Sequence, residues 1–240
     1  MSKNSKILLI CFLLAAVMVA GWWSWQKNDQ GDKNEIVFTT GFVMLDDEKN
    51  LTWSEAVQLA PEARVQFENK IKEIQADLAV AKEKEDRLAD YNNLAIYQKY
   101  LGNYQEAYNA YLESLKLESQ ARVAWQNFAD VLLKMKAYKS AEMAYKKAVE
   151  LNKYIPESYV KLADYYKAVG DGAKVEAAYK TAIETIKQSL ESDTLVLDAY
   201  AEWLGGEKRY EEAVKIYEQL IVKQPGNKEA ILRKIEGLKK

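Results

Sequence analysis

Apolar residues are arranged in two ways along the chain: in one unbroken run near the amino terminus, and at helical spacing through most of the rest. Residues 7–25 carry no charged side chain. As a helix they would be about 28 Å long, close to the hydrocarbon thickness of a bilayer. Trp22, Trp23 and Trp25 end the run, where aromatic side chains anchor a span at the interface. This pattern predicts a single transmembrane helix, with residues 1–25 as an uncleaved signal-anchor.

Two other interpretations of the same segment stay open. Two lysines precede the apolar run, and residues 19–21 are small enough for a signal-peptidase site, so the segment also resembles a cleaved signal peptide. We favour the uncleaved anchor because Trp22 and Trp23 would otherwise begin the mature protein. A lipid-modified Cys11 fits less well, because the bulky Ile10 precedes it.

The basic residues near the span predict its orientation. Lys3 and Lys6 precede the span, and Lys27 and Lys33 follow it. The leading tail is short and basic, which favours an internal amino terminus. We therefore expect a single-pass membrane protein whose folded part is extracytoplasmic, in a bacterial-like cell envelope. A cytoplasmic folded part is the alternative.

Residues 26–50 read as a linker or stalk between the span and the folded part. Most of this segment is polar, but residues 36–45 are apolar and rich in β-prone side chains. We expect residues 36–45 to lie in extended form against the folded body. Occupation of a binding groove by this stretch is the alternative.

Residues 51–87 are predicted to form an N-terminal helical cap. Thr52 and Glu55 make a capping-box pattern, which predicts a short helix near Trp53. Pro61 suits the first turn of a second, longer helix. The apolar residues of that helix follow alternating steps of four and three: Phe67, Ile71, Ile74, Leu78, Ala81 and Leu88. We interpret this stripe as a surface that packs on the next helices, with a coiled-coil seam as the alternative.

Aromatic and small residues then recur at a spacing of 34. Tyr91, Trp125 and Tyr159 define the first column. Four more columns keep the same offset: Leu94, Phe128 and Leu162; Ala95, Ala129 and Ala163; Tyr111, Tyr145 and Tyr179; Leu115, Val149 and Ile183. Five columns in one register indicate an internal helical repeat.

These columns resemble the tetratricopeptide repeat (TPR). The first unit shows the family pattern most fully, with Tyr91, Leu94, Ala95, Gly102, Tyr104, Ala107 and Tyr111. The third unit departs from it, because Gly172 and Val175 replace a tyrosine and an alanine, and the offset to the fourth unit is 38. The resemblance covers residues 88–227, as units 88–121, 122–155, 156–193 and 194–227. Residues 228–240 have one apolar side and predict a C-terminal capping helix.

The resemblance implies an all-α fold: a right-handed superhelical α-α solenoid of about four TPR units, with an N-terminal helix and a C-terminal capping helix, preceded by the single transmembrane helix. Each unit would be two antiparallel helices joined by a tight turn. Gly102 and Gly170 fall at such turns and are expected to adopt positive φ.

The resemblance also implies a concave groove lined by the first helix of each unit. Its predicted partner-binding residues are Asn92, Asn93, Ile96, Lys99, Gln126, Asn127, Asp130, Lys161, Asp164 and Lys167, with Asp198 and Glu202 in the fourth unit. Amides can pair with the backbone of an extended peptide, and lysines can meet its carboxylates. The set departs from the clamp that grips heat-shock chaperone tails, because Glu157 stands where that clamp has a cation, so we do not expect that ligand.

Composition narrows the function. The formal net charge of -2 disfavours nucleic-acid binding, which needs a basic excess. Histidine is absent from the sequence, which removes the commonest general base, the usual catalytic dyads and triads, and most zinc sites. Cys11 is the single cysteine. We expect no enzyme, no cofactor and no metal. The predicted function is a membrane-tethered scaffold for protein–protein interaction, and the alternative is a self-assembling, homo-oligomeric envelope component.

Overall fold

The computed structural model describes residue 42 and residues 44–80 and 83–238. The chain divides into two units, Met1–Val43 and Met44–Lys240. Phe42 is the one described residue of the first unit, and all other described residues belong to the second. The predicted membrane span of residues 7–25 lies outside the described residues. Among the helices that are described, none is both long and apolar enough to cross a membrane.

Ten α-helices follow one another in the described part of the second unit. They are α1 (Pro61–Leu78), α2 (Lys84–Leu101), α3 (Tyr104–Leu117), α4 (Arg122–Lys134), α5 (Tyr138–Leu151), α6 (Pro156–Ala168), α7 (Gly172–Ile186), α8 (Thr194–Gly206), α9 (Tyr210–Lys223) and α10 (Lys228–Gly237). Short 3-10 turns at Glu48–Asn50 and Pro225–Asn227 complete the regular structure of the described residues.

Helices α2 to α9 form four antiparallel pairs, and each pair packs on the next. The first helices of successive pairs, α2, α4, α6 and α8, also contact one another. The second helices, α3, α5, α7 and α9, make no such contacts within the described part of the chain. The first helices therefore line the inner face of a curved stack, and the second helices lie outside. The predicted all-α solenoid is confirmed.

The four turns inside the pairs share one backbone conformation. Gly102, Lys136, Gly170 and Lys208 all have positive φ, between 60° and 80°. Their positions in the chain differ by 34, 34 and then 38, which is the spacing of the repeats. The prediction for Gly102 and Gly170 is confirmed. Lys136 and Lys208 hold the same left-handed conformation although a Cβ atom disfavours it.

We predict that Lys136→Gly stabilises the protein. Removing the Cβ atom relieves the left-handed strain, so the free energy of unfolding should rise by about 1 kcal/mol. Urea unfolding followed by circular dichroism measures this change. Lys215→Gly, at an exposed position inside α9, is the control and should lower stability by about 1 kcal/mol. A loss of stability in both variants would contradict the prediction.

The predicted helix near Trp53 is wrong, because residues 51–60 have no helical structure. Their backbone groups bond to distant turns instead. The Thr52 N–H donates to the Met135 carbonyl at 2.8 Å, and the Glu55 N–H donates to the Gly102 carbonyl at 2.9 Å. The Glu55 carboxylate, expected to close a capping box, accepts a hydrogen bond from the Tyr104 hydroxyl at 2.7 Å.

The apolar stripe from Phe67 to Leu88 does not run along one helix, because α1 ends at Leu78 and α2 begins at Lys84. The helix α1 packs on α2. Ile71 and Ile74 are buried, and the Phe67 ring lies 5.6 Å from that of Tyr97. The stripe thus serves as a packing surface on the first pair.

Residues 44–57, here called the strap, run along the turn edge of the first two pairs. Asp46 caps the start of α5 from a distance of more than ninety residues in sequence. Its carboxylate accepts hydrogen bonds from the backbone N–H of Lys139 at 3.2 Å and from both the N–H and the hydroxyl of Ser140 at 2.9 and 2.7 Å. The strap therefore satisfies orphan donors of a helix that has no side-chain cap of its own.

Gly102 allows the strap to approach the first turn closely. A Cβ atom at this position would lie 2.0 Å from the Glu55 carbonyl oxygen. A Cβ atom at Gly170, the equivalent turn of the third pair, would have no neighbour within 4 Å. The two glycines therefore share the same backbone conformation, but only Gly102 also makes room for the strap.

Comparison of Gly102→Ala with Gly170→Ala separates these two roles. Both variants place a Cβ atom in the left-handed region, which costs about 1 kcal/mol. Gly102→Ala should lose clearly more stability and should release the strap, so that trypsin cleaves faster after Lys49. Urea unfolding and timed proteolysis measure the two effects. Equal stability losses and equal cleavage rates would show that the strap does not depend on Gly102.

Tyrosine–glutamate pairs tie successive repeats together. The Tyr166 hydroxyl donates to Glu142 at 2.9 Å, and Tyr200 donates to Glu176 at 3.1 Å. The donor is on the first helix of a pair, and the acceptor is on the second helix of the preceding pair. Hydrogen bonds, those of Arg209 first, lower the pKa of Glu176 to about 2. These bonds fix the relative orientation of neighbouring pairs and so the shape of the inner face.

Candidate protein-binding groove

The ten residues of the predicted site all lie on α2, α4 and α6, the first helices of the first three pairs. Six are half-buried: Asn92, Ile96, Lys99, Asn127, Asp130 and Lys161. Three are exposed: Asn93, Asp164 and Lys167. Gln126 alone of the ten is buried. Most of the predicted residues therefore reach the surface. They differ in whether their polar groups already have partners within the protein.

Three of the predicted residues, each from a different repeat, form one charged cluster. The Asp130 carboxylate of α4 lies 3.2 Å from the Lys161 ammonium of α6 and 3.9 Å from the Lys99 ammonium of α2. Lys99 and Asp130 keep only 18% and 22% of their side-chain surface exposed. This cluster crosses the first three repeats along the inner face.

A tyrosine of the repeat columns, Tyr145, binds the Asp130 carboxylate. The Tyr145 hydroxyl donates a hydrogen bond to the Asp130 carboxylate. Burial, and then the charge of Asp130, raises the pKa of Tyr145, so this hydroxyl stays protonated as a donor. In the first repeat Ile96 takes the position of Asp130, and the buried Tyr111 hydroxyl has no well-formed hydrogen bond to any described residue. The third and fourth repeats carry Asp164 and Glu202 at this position, so the first repeat alone lacks the carboxylate. What distinguishes Asp130 is that lysines of both neighbouring repeats approach it.

The cluster has more positive than negative charge. Burial lowers the pKa of Lys99, and repulsion from Lys161 and Lys134 adds to this effect, while Asp130 opposes it. Three ammonium groups are therefore close enough to interact around one carboxylate. An anionic group of a partner would reduce this repulsion.

Several predicted residues are engaged inside the fold. The Asn92 side-chain oxygen accepts a hydrogen bond from the Ser114 hydroxyl at 2.9 Å. The Gln126 oxygen accepts one from Arg122 at 2.8 Å. Asp164 is paired with Lys167, one turn away on the same helix. The side-chain amides that remain more accessible to a partner are therefore those of Asn93 and Asn127.

The fourth repeat ends the groove with a contact that sequence reasoning missed. Lys234 of α10 lies 2.7 Å from Asp198 and 2.8 Å from Glu202, the two inner-face acids of α8. Although burial opposes it, the hydrogen bonds to these acids raise the pKa of Lys234. The signal was present: Lys234 follows Tyr200 at the repeat offset of 34, in a column that is otherwise apolar or aromatic.

No group of three or more His, Cys, Asp or Glu side chains among the described residues is placed to hold a metal ion. The charged groups of the inner face are mostly paired across repeats, which suits a binding surface.

Residues 63–233 match the family model described as the PRP39 N-terminal HAT repeat. The chain belongs to this family. The prediction of a TPR-like helical repeat is thereby confirmed at the level of the HAT/TPR-like repeats. Proteins built from such repeats are generally non-catalytic scaffolds.

The fold is also similar to that of solved helical-repeat structures. The crystal structure of MamA has a TM-score of 0.50 at 19% identity, covering 71% of this chain and 98% of MamA. TTC0263, a thermophilic TPR protein of Thermus thermophilus, has a TM-score of 0.49 at 15% identity, covering 74% of this chain and 92% of its own. The identities are low, so the likeness to MamA shows the fold alone. No curated protein sequence matches this chain.

We predict that Asp130→Asn destabilises the protein through Lys99 and Lys161. The amide keeps the shape of the side chain but removes the negative charge between two lysines, so the free energy of unfolding at pH 7 should fall by about 2 kcal/mol. The folded-state pKa of Lys99 should also fall further below its ordinary 10.5. Protonated Lys99 then opposes folding at neutral pH, and this penalty disappears as the pH rises towards 10.5.

Urea unfolding at pH 7 and at a pH near 10.5 measures both effects. Asp164→Asn is the matched control in the next repeat, where the carboxylate is half-exposed and its one ion pair among the described residues is with Lys167 on its own helix. It should change stability by less than about 0.5 kcal/mol. Equal effects of the two variants would contradict the proposed role of the Asp130 cluster.

Proposed function

We propose that this chain is a scaffold that holds a partner protein or peptide in its inner groove and is tethered to a membrane by residues 7–25. The observation that carries the proposal is the cluster of Lys99, Asp130 and Lys161, which joins three repeats on one face. Its excess of positive charge favours a partner segment with a carboxylate at this point.

An extended partner segment suits the geometry of this face. The first helices lie side by side, so their exposed polar groups follow one line across the repeats. Asn93 and Asn127 can donate and accept hydrogen bonds along a peptide backbone, while Lys99 and Lys161 can meet its acidic side chains. Lys234 pairs with both Asp198 and Glu202 at the far end and offsets part of their negative charge, which leaves the first three repeats as the main contact surface.

The tether rests on the sequence of the amino-terminal segment, residues 1–25. An uncharged stretch long enough to span a bilayer ends in three tryptophans, and two lysines precede it. This arrangement supports an uncleaved anchor with the repeats on the extracytoplasmic side. The groove would then be presented to partners at the membrane surface.

We expect the double variant Asn127→Ala with Lys161→Glu to lose partner capture. The substitutions remove an amide and reverse a charge at two inner-face positions that are not themselves in the repeat columns. Because Lys161 pairs with Asp130, urea unfolding of the variant is measured alongside capture. The full-length chain is recovered from its native membrane with its partners, which are identified by mass spectrometry. Circular dichroism should show unchanged helicity.

The matched control is Asn109→Ala with Lys215→Glu, which makes the same chemical changes at exposed positions of the outer helices α3 and α9. It should capture the same partners as the unaltered protein. If the inner-face variant captures them equally well, the groove assignment is wrong. If the intact mass shows that the recovered chain lacks the amino-terminal segment, the uncleaved anchor is wrong.

A further inference from the structure

Positive charge is concentrated in one repeat. Residues 122–155 contain seven Lys or Arg and three Asp or Glu, a formal net charge of +4. The units 88–121, 156–193 and 194–227 each carry a formal net charge of -2. A chain that is slightly acidic as a whole therefore has a strongly basic second repeat.

The basic side chains of this repeat are largely exposed on its turn and outer helix. Lys136 lies in the loop between α4 and α5, and Lys139 is near the start of α5. Lys146 is seven residues further along α5, on the same side of the helix. All three are exposed. Neither Lys136 nor Lys139 has an ion pair with any described residue. We call Lys136, Lys139, Lys146 and Lys147 the basic face.

A recess with an apolar floor lies within the basic face. Its volume is about 490 Å³, and Leu45 of the strap and Met143 of α5 line it together with Lys139, Lys146 and Lys147. Leu45 leaves 48% of its surface exposed there. A recess of this size accepts one or two apolar side chains, and its rim can meet negative charge.

From this geometry we infer that the basic face is a docking site for an acidic protein segment, which places an apolar side chain between Leu45 and Met143 and its carboxylates beside Lys136 and Lys139. Charge complementarity selects the occupant, because this repeat alone among the four is positive. The site lies on the outer helix and turn, away from the inner groove, so it does not depend on the proposed function of that groove.

The acids of the recess favour a protein segment over an anionic lipid surface. Glu142 and Glu150 also line the recess. Lys146 pairs with Glu142 at 2.9 Å, and Lys147 pairs with Glu150 at 3.6 Å. A flat layer of phosphates would meet these carboxylates as well as the lysines. A peptide can place its few carboxylates beside the unpaired lysines and turn its apolar side chain towards the floor.

The test uses the full-length chain in neutral phosphatidylcholine vesicles. The probe is a short fluorescent peptide in which glutamates flank two leucines. Lys136→Gly with Lys139→Ser removes the two unpaired charges and keeps the turn conformation. The control is Lys208→Gly with Lys215→Ser, which removes two charges from the equivalent turn and the outer helix of the fourth repeat.

We expect fluorescence anisotropy to show that the second-repeat variant binds the peptide about fivefold to tenfold more weakly. The fourth-repeat variant should bind it as the unaltered protein does. A peptide with serines in place of the leucines should also bind more weakly, since it cannot fill the recess. Raising the salt concentration should weaken binding, and Asn127→Ala with Lys161→Glu should leave it unchanged.

Three results would overturn the inference. Equal losses in the second-repeat and fourth-repeat variants would mean that only overall charge matters. Equal binding of the leucine and serine peptides would mean that the recess is not used. Recruitment of added phosphatidylserine vesicles through Lys136 and Lys139, without binding of the peptide, would assign the face to an anionic lipid. Unfolding midpoints of all variants, with Lys139→Ser alone as a milder change, separate loss of binding from loss of folding.

Discussion

The close approach of the two helices in each pair is the contact on which the rest of the structure depends. Ala95, Ala129, Ala163 and Ala201 on the first helices are completely buried. On the second helices Ala107, Ala141 and Ala213 are equally buried, and in the third pair the slightly larger Val175 takes this position. Larger side chains here would force the helices apart, at a cost of about 1–3 kcal/mol at each site. Because the two helices of each pair approach closely, the tyrosines of the repeat columns can fill the space between one pair and the next.

The strap adds long-range order to a fold that is otherwise built from neighbouring contacts. In a solenoid each repeat touches only the next, so its curvature is set locally. Residues 44–57 bridge the turns of the first two pairs at once, through Asp46 at α5 and Glu55 at Gly102. The first two repeats are therefore held at one angle. The inner-face cluster begins on the same two repeats, where Lys99 and Asp130 lie 3.9 Å apart.

Electrostatics divides the surface of the described residues into regions of paired charge and a region of unpaired charge. On the inner face, Lys99 and Lys161 share Asp130, and at the far end Asp198 and Glu202 share Lys234. On the outer side of the second repeat, Lys136 and Lys139 stand without such partners among the described residues. The paired charges stabilise the stack, whereas the unpaired ones are available for binding. One basic repeat in an otherwise acidic solenoid can thus direct an acidic segment to one position along its length.

The repeat itself was readable from the sequence, because the same local pattern returns at a constant offset along the chain. The columns of Tyr91, Leu94 and Ala95 predicted the helix pairs, and Gly102 and Gly170 predicted the positive φ of their turns. The positive φ of Lys136 and Lys208 was not predicted, because lysine does not favour the left-handed conformation. Only the repeat offset that relates these lysines to Gly102 and Gly170 indicates it. The inner-face residues were placed by analogy, and the structure joined Lys99, Asp130 and Lys161 into one cluster.

The position of the strap and the contact that ends the groove could be seen only in the tertiary structure. Thr52 and Glu55 carry a local helix signal, yet their backbone groups bond to turns that lie far along the chain, at Met135 and Gly102. The stripe from Phe67 to Leu88 has helical spacing throughout, but the chain breaks it to fold α1 onto α2. Local patterns specify which segments become helices and how they repeat. Hydrogen bonds between segments far apart in the chain leave no such pattern, so only the folded structure shows where the strap binds and which charges remain unpaired.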